Sequence, residues 1–133
     1  MLVSVFTAAE IAYLQGQSLG RLATVDALGR PHVVPVRFRY DPEHDAILVG
    51  GRGFGTSKKY RDARRTAWVS FVVDDAPAPR HPRGVEVRGR AEASLDGQRV
   101  WPDADPEMLR IIPTHVASWG VDTEPHRPAG RDV

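Results

Sequence analysis

The residues best suited to chemistry lie in one short segment, residues 50–59, with the sequence GGRGFGTSKK. Its four glycines let the backbone turn tightly and approach a ligand closely. Thr56 or Ser57 can cap a following helix, whose first-turn amides and dipole favour an anion. Lys58 and Lys59 add full positive charges. The segment predicts a phosphate site, with a plain strand-to-helix connection and a solvated basic face as the alternative.

Two better-known phosphate motifs do not match this segment. A P-loop has lysine directly after its last glycine, whereas Thr56 follows Gly55 here. The dinucleotide fingerprint requires a third glycine at a spacing that the segment lacks. The common nucleotide-binding loops are therefore excluded.

The composition narrows the possible functions. With no cysteine, the chain can form no disulfide, thiolate nucleophile or cysteine-ligated metal site. The five histidines show no metal-ligand spacing, and no Ser–His–Asp arrangement has a supporting motif, so neither a metal site nor hydrolase chemistry is expected.

Basic residues are concentrated at 52–65, which favours a small anionic ligand over nucleic acid. No apolar run could span a membrane and no signal peptide is evident, so we expect a cytoplasmic protein.

The elements that must position this segment are mostly strands. The sequence predicts one helix over residues 7–17, where Thr7 and Glu10 form a capping box, and a second over 56–65. Strands are expected at residues 21–26, 32–40, 46–49, 67–73, 84–94 and 109–121. Hairpin-spaced strands with so few helices favour a mainly β fold, an antiparallel barrel of about six strands. We expect one domain over residues 1–122 and a loose tail over 123–133.

The second strand alternates clearly between two faces. One face carries His32, Val34, Val36, Phe38 and Tyr40, and the other carries Val33, Pro35, Arg37 and Arg39. Because proline cannot donate to a strand ladder, Pro35 indicates an edge, a bulge or a place where something other than a strand lies alongside.

The order of these segments resembles a known family. Residues 29–36 (GRPHVVPV), 56–62 (TSKKYRD) and 67–73 are similar to the pyridoxamine 5'-phosphate oxidase-like split β-barrels, the FMN-binding-barrel type. Residues 83–91 (RGVEVRGRA) and 118–122 (SWGVD) are especially similar to actinobacterial members that use the deazaflavin coenzyme F420. The resemblance covers roughly residues 7–122, and it rests on the order and spacing of short motifs.

The resemblance implies a homodimer with two cofactor sites at the subunit interface. It places the cofactor ring along the second and third strands and the phosphate at the head of the second helix. Arg39 stands where the oxidases carry a basic residue. One departure matters: Val34 stands where they carry an arginine, which argues against a classical FMN site and against pyridoxamine phosphate oxidase activity. The expected cofactor-binding residues are Pro35, Val36, Arg37, Arg39, Thr56, Ser57, Lys58, Lys59 and Trp119, with Lys58 on the phosphate and Trp119 supplied by the partner chain.

The resemblance further implies an oxidoreductase that transfers hydride from reduced coenzyme F420 to a small unsaturated acceptor. Such an enzyme needs no catalytic side chain of its own, because the cofactor carries the hydride. Two alternatives remain at this stage. One is an FMN-dependent oxidoreductase of the same fold, and the other is a cofactor-binding protein without turnover.

Overall fold

The structure is a computed structural model that describes residues 3–95 and 99–133. Within them lie two helices and seven strands: α1 Ala8–Gln15, β1 Leu19–Val25, β2 Pro31–Asp41, β3 Ala46–Gly50, α2 Lys58–Thr66, β4 Trp68–Asp75, β5 Arg83–Ser94, β6 Met108–Trp119 and β7 Ala129–Asp132. A short 3-10 turn, Phe54–Thr56, leads into α2. The two helices and the first six strands agree with the sequence prediction to within a few residues.

Six of the strands close into a barrel. They follow the order β3-β2-β1-β4-β5-β6, every neighbouring pair is antiparallel, and β3 pairs back onto β6 through Ile47 and Ile111. Closure leaves no free edge along the paired stretches. The predicted split β-barrel of about six antiparallel strands is confirmed.

The core follows from the alternation in each strand. The inward positions of β2 are Val36, Phe38 and Tyr40, as predicted, and Phe38 packs edge-on against Phe71 of β4 with ring centroids 5.2 Å apart. Helix α1 adds Leu14, which is fully buried. Burying such side chains contributes roughly 1.5–3 kcal/mol each, so the alternation also fixes which face of every strand turns outward.

The chain end differs from the sequence prediction. The loose tail expected over residues 123–133 contains β7, which pairs with β6 from His115–Asp132 to Ser118–Ala129. Arg131 of β7 donates to both carboxylate oxygens of Glu10, at 2.6 and 3.2 Å, and to the carbonyl of Val5 at 2.7 Å. The composition of the tail suggested disorder. In the structure, however, the tail pairs with an edge of β6, and its Arg131 binds the buried carboxylate of Glu10. None of the described helices is long and apolar enough to cross a membrane.

Candidate functional site

The segment 50–59 folds as the sequence predicted, into a glycine turn followed by a capped helix. We call residues 50–55 the glycine turn. Gly53 has a φ of 71°, a left-handed conformation that glycine adopts without strain. Ser57 caps α2, because its Oγ accepts from the amide of Tyr60 at 3.3 Å.

One cavity joins this turn to β2. We call it the Arg37 cavity, and its volume is about 190 Å³. Its cationic lining comes from Arg37, Arg52 and Lys59. Its remaining lining residues are Pro35, Val36, Gly50, Gly51, Phe54 and Trp101. The structure therefore brings together four of the predicted cofactor residues, namely Pro35, Val36, Arg37 and Lys59.

Pro35 lies at a local edge, as its lack of an amide hydrogen suggested. It pairs with Arg21 of β1, whereas β3 pairs with β2 only from Arg37 to Asp41. The part of β2 that precedes Arg37 therefore has no pairing with β3, and the cavity opens next to that part.

The two adjacent lysines of α2 lie in different surroundings. Lys59 lines the Arg37 cavity, and its ammonium lies 5.6 Å from the ring centroid of Phe54. Lys58 instead donates a 2.6 Å hydrogen bond to Asp62 and lies 4.0 Å from the carboxylate of Asp26. Of the two, Lys59 is the one placed with the other cavity cations.

The carboxylates of Asp62 and Asp26 stabilise the ammonium of Lys58 in this position. The hydrogen bond from Lys58 outweighs desolvation and lowers the pKa of Asp62 below its usual range. The pKa of Asp26 is lowered to about 2, chiefly by the amide of Arg30. Both groups are therefore anionic at neutral pH, and a phosphate bound by Lys58 would compete with them.

Thr56 and Ser57 line a second, larger cavity, which also has three cationic residues. It has a volume of about 510 Å³, and its cations are Arg61, Arg64 and Arg65. The hydroxyl of Thr56 donates to the carbonyl of Gly53 at 3.2 Å, and that of Ser57 donates to Phe54 at 2.7 Å. Since each hydroxyl has a single hydrogen, both would have to rotate to donate to a phosphate.

Arg39 and Trp119 do not line the Arg37 cavity. Arg39 lies further along β2, opposite Leu48 of β3. Trp119 ends β6, opposite Gly84 of β5, where a Cβ would overlap its indole ring. Arg39 nevertheless follows Arg37 on the same face of β2, whereas Trp119 lies on β6.

Four lining residues, Gly50, Gly51, Arg52 and Phe54, belong to the predicted segment 50–59 but were not named as site residues. Trp101, which lines the cavity, and Asp105, which binds the glycine turn, lie outside that segment. Trp101 and Asp105 belong to the connection between β5 and β6, about fifty residues beyond the glycine turn in the chain. The one feature of the sequence that could have indicated a role for this connection is Trp101, an aromatic residue in a mostly polar loop. Nothing in the sequence tied Asp105 to the turn, whose amides it binds at Gly53 and Gly55.

A larger cavity lies elsewhere, on the outer face of the barrel, with a volume of about 640 Å³. Its lining combines apolar side chains, among them Trp68, which is 57% exposed, with polar ones such as Arg88 and His115. Val33, 63% exposed, pairs with the lining residue Ala23. We call these residues the outer patch: Ala23, Val25, Pro31, Val33 and Trp68. Along β2, the next outward position after Val33 is Pro35, so the outer patch borders the Arg37 cavity. Exposed apolar surface of this kind is typical of protein–protein contacts.

A cluster of possible metal ligands lies in the turn between β2 and β3. Asp41, Glu43 and His44 bring their ligand atoms within 4.8 Å of one another. However, the ring of His44 is hydrogen-bonded to Asp41 at 2.8 Å, and the cation Arg110 lies 3.6 Å from the same carboxylate. These neighbours already compensate the charge of Asp41.

The Arg37 cavity suits binding better than acid–base chemistry. Its cations can hold an anionic group, and its proline, valine and aromatic side chains can hold a flat ring. No histidine, carboxylate, serine or cysteine is among the residues that line it. A reaction at this place would therefore depend on a bound reagent.

Comparison with protein families gives a match along nearly the whole chain. The pyridoxamine 5'-phosphate oxidase family model matches residues 6–120. A 5a,11a-dehydrotetracycline/5a,11a-dehydrooxytetracycline reductase from Streptomyces rimosus is 44% identical over 120 residues, which cover 88% of this chain and 84% of the relative.

Similar solved structures include two flavin-binding proteins. A FAD-binding protein from Mesorhizobium loti has a TM-score of 0.64 at 25% identity, covering 85% of this chain and 92% of that one. A FAD-binding protein from Mycobacterium smegmatis has a TM-score of 0.66 at 20% identity, covering 98% of this chain and 100% of that one. The second likeness concerns the fold alone.

Proposed function

The chain belongs to the pyridoxamine 5'-phosphate oxidase family, and from this premise we propose that it is a reductase with a flavin-type cofactor, coenzyme F420. The observation that carries the proposal is the close likeness, over most of both chains, to a dehydrotetracycline reductase. The lining of the Arg37 cavity supports the same proposal, because it combines cationic side chains with flat apolar ones.

The residues present fit such a cofactor. Lys59 and Arg52 supply charge-assisted donors for its phosphate, and the open side of β2 beside Pro35 leaves room for a ring to lie along the strand. We propose Lys59 as the first phosphate contact. Lys58, Thr56 and Ser57 remain predicted contacts that would have to release Asp62, Gly53 and Phe54.

When bound, F420 supplies a hydride from one carbon of its ring. The protein's part is to hold that ring, to place the acceptor against it and to exclude water. Arg37 is placed to orient an anionic or enolic oxygen of the acceptor, since its guanidinium lines the same cavity as Lys59. By its likeness to the relative, we propose an acceptor with a carbon–carbon double bond in a fused-ring system.

We further propose that the active form is a homodimer. The Arg37 cavity, about 190 Å³, is smaller than the roughly 300–1,000 Å³ of typical ligand pockets. One chain therefore offers only part of a site for a three-ring cofactor. The outer patch borders this cavity, so a second copy packed on the patch would complete the site. In that arrangement we expect Trp119 of the partner subunit to contact the cofactor and to close its site.

FMN is the second candidate cofactor. The FAD-binding neighbours favour it, because they show that barrels of this shape accept an ordinary flavin. A third possibility is a protein that binds its cofactor without turnover. A reductase and a binding protein differ in whether the bound reduced cofactor is oxidised by an acceptor.

The test is a paired titration of the purified protein with F420 and with FMN, following tryptophan fluorescence. We expect F420 to bind at least about tenfold more tightly, a difference of roughly 1.4 kcal/mol. The second measurement follows oxidation of reduced F420 by 5a,11a-dehydrotetracycline. Selective FMN binding would overturn the F420 assignment, and tight F420 binding without oxidation by any enone would favour the binding protein.

A further inference from the structure

The connection between β5 and β6 is folded onto the glycine turn. We call residues 99–107 the strap. Its backbone is tied to the turn by the amide of Asp105, which donates to the carbonyl of Gly51 at 2.9 Å. Within the strap, the amide of Ala104 donates to Trp101 at 3.0 Å, and Arg99 donates to the carbonyl of Ala104 at 3.0 Å. The strap therefore has a defined shape.

The carboxylate of Asp105 fixes the strap at a second point. It accepts hydrogen bonds from the amides of Gly53 at 3.0 Å and Gly55 at 3.2 Å. These are charge-assisted bonds, and the two amides converge on one carboxylate as they would on a bound anion. The protein's own carboxylate thus occupies the place that the glycine-rich sequence offers to an anion.

A third contact brings the strap close to the same turn. The carboxylate of Glu107 lies so close to Gly55 that a Cβ there would overlap it. The strap and the glycine turn are consequently one packed unit, although about fifty residues separate them in the chain.

The strap carries Trp101 into the Arg37 cavity. Its Cη2 atom lies 3.4 Å from the position that a Cβ on Gly51 would take. The guanidinium carbon of Arg37 lies 4.8 Å from the centroid of the indole ring. A guanidinium over an aromatic face is attracted to it and keeps donors for an oxygen. Trp101 and Arg37 therefore form one aromatic and cationic wall of the cavity.

We propose that Trp101 is a specificity-determining contact for a flat, fused-ring acceptor, and that Asp105 is the positioning residue that holds it there through the strap. The inference rests on the proposed function and names the acceptor side of the same site. It assigns Trp101 to the acceptor because the cofactor's proposed contacts come from β2, the glycine turn and α2, whereas Trp101 comes from the strap. The strap is a loop on this scaffold, and such loops commonly carry the variable contacts of a site.

The first test measures equilibrium binding and needs no turnover. Tetracycline serves as a fused four-ring probe, and its Kd is measured by equilibrium dialysis against the full-length protein. For Trp101→Ala we expect the Kd to rise about tenfold, as loss of an aromatic stacking partner predicts, and for Trp101→Phe to rise much less. Leu95→Ala is the matched control, since Leu95 lies in the same connection but is 70% exposed.

The second test separates positioning from general damage. Asp105→Ala is expected to raise the tetracycline Kd to the level of Trp101→Ala. Added formate should restore binding, because a small carboxylate can occupy the vacated amides of Gly53 and Gly55. Wild-type protein should not respond to formate. A rise that formate leaves unchanged, with Asp105→Asn equally impaired, would overturn the role of Asp105.

Cofactor titrations distinguish this inference from the proposed function. The inference fails if Trp101→Ala raises the Kd of F420 or FMN but not that of tetracycline, if neither changes, or if the wild type does not bind tetracycline. If the wild type binds tetracycline through Trp101 but binds neither F420 nor FMN, the proposed function fails and the acceptor wall stands.

Discussion

Lys58 lies one helical turn before Asp62 and donates a 2.6 Å hydrogen bond to that buried carboxylate. Its neighbour Lys59 lines the Arg37 cavity instead. Successive residues of a helix point about 100° apart, so two adjacent lysines face different partners. Lys58 therefore bonds within its own helix, and Lys59 is placed for an anionic ligand.

This difference predicts which lysine matters for the cofactor. Lys59→Ala should weaken F420 binding by about 1–3 kcal/mol, because a charge-assisted hydrogen bond to phosphate is lost. Isothermal titration of the wild type, Lys59→Ala and Lys58→Ala measures it. A larger loss for Lys58→Ala would instead favour Lys58 as the phosphate contact, as the family resemblance implied, and would mean that phosphate binding releases it from Asp62.

Lys58→Ala should act on stability. It leaves the buried carboxylate of Asp62 without the hydrogen bond that lowers its pKa. The thermal midpoint should fall, and a second change, Asp62→Asn, should recover part of the loss in the Lys58→Ala background. Equal losses that simply add in the double variant would contradict direct coupling.

The contact between Arg131 and Glu10 should make the chain end important for folding. Glu10 is fully buried, so removing its cation leaves a buried charge uncompensated. Arg131→Ala should lower the free energy of unfolding by on the order of 3 kcal/mol. Urea denaturation measures this loss, and Arg127→Ala, an exposed cation of the same tail, serves as the control.

Glu10 should also contribute to acid sensitivity. Burial raises the pKa of Glu10, but hydrogen bonds from Arg131, Ser118 and the Thr7 amide outweigh it, so the pKa is lowered from 4.5. A lowered folded-state pKa stabilises the protein above about pH 4.5, and this contribution is lost as the pH falls through the folded value. Glu10→Gln should therefore be less stable than wild type at pH 7, with a smaller further loss between pH 5 and pH 3. An unchanged pH profile would be the contrary result.

The outer patch should control both assembly and cofactor binding. Trp68→Arg places a charge in the patch, so we expect a monomer by light scattering and weakened F420 binding. Leu28→Arg is the matched control, because Leu28 is 76% exposed and lies in the β1–β2 hairpin outside the patch. A Trp68→Arg protein that remains dimeric, or a monomer with full cofactor affinity, would contradict the shared interface.

The barrel could be predicted from the sequence because its signals are local. Alternation along β2 gave the inward set Val36, Phe38 and Tyr40, and Thr7 with Glu10 gave the start of α1 through a capping box that the structure contains. The tail was predicted less well. Its strand β7 depends on an edge of β6 and on Glu10, which lie far away in the chain.

The site was predictable only in its outline. Residue types and spacing in the segment 50–59 indicated a turn, a capped helix and an affinity for anions, because these properties depend on neighbours in the chain. Contacts over longer distances assigned the individual roles: Asp105 fills the amides of Gly53 and Gly55, and Trp101 stacks on Arg37. Such contacts arise from how strands pair and loops pack, so they leave no local pattern to read.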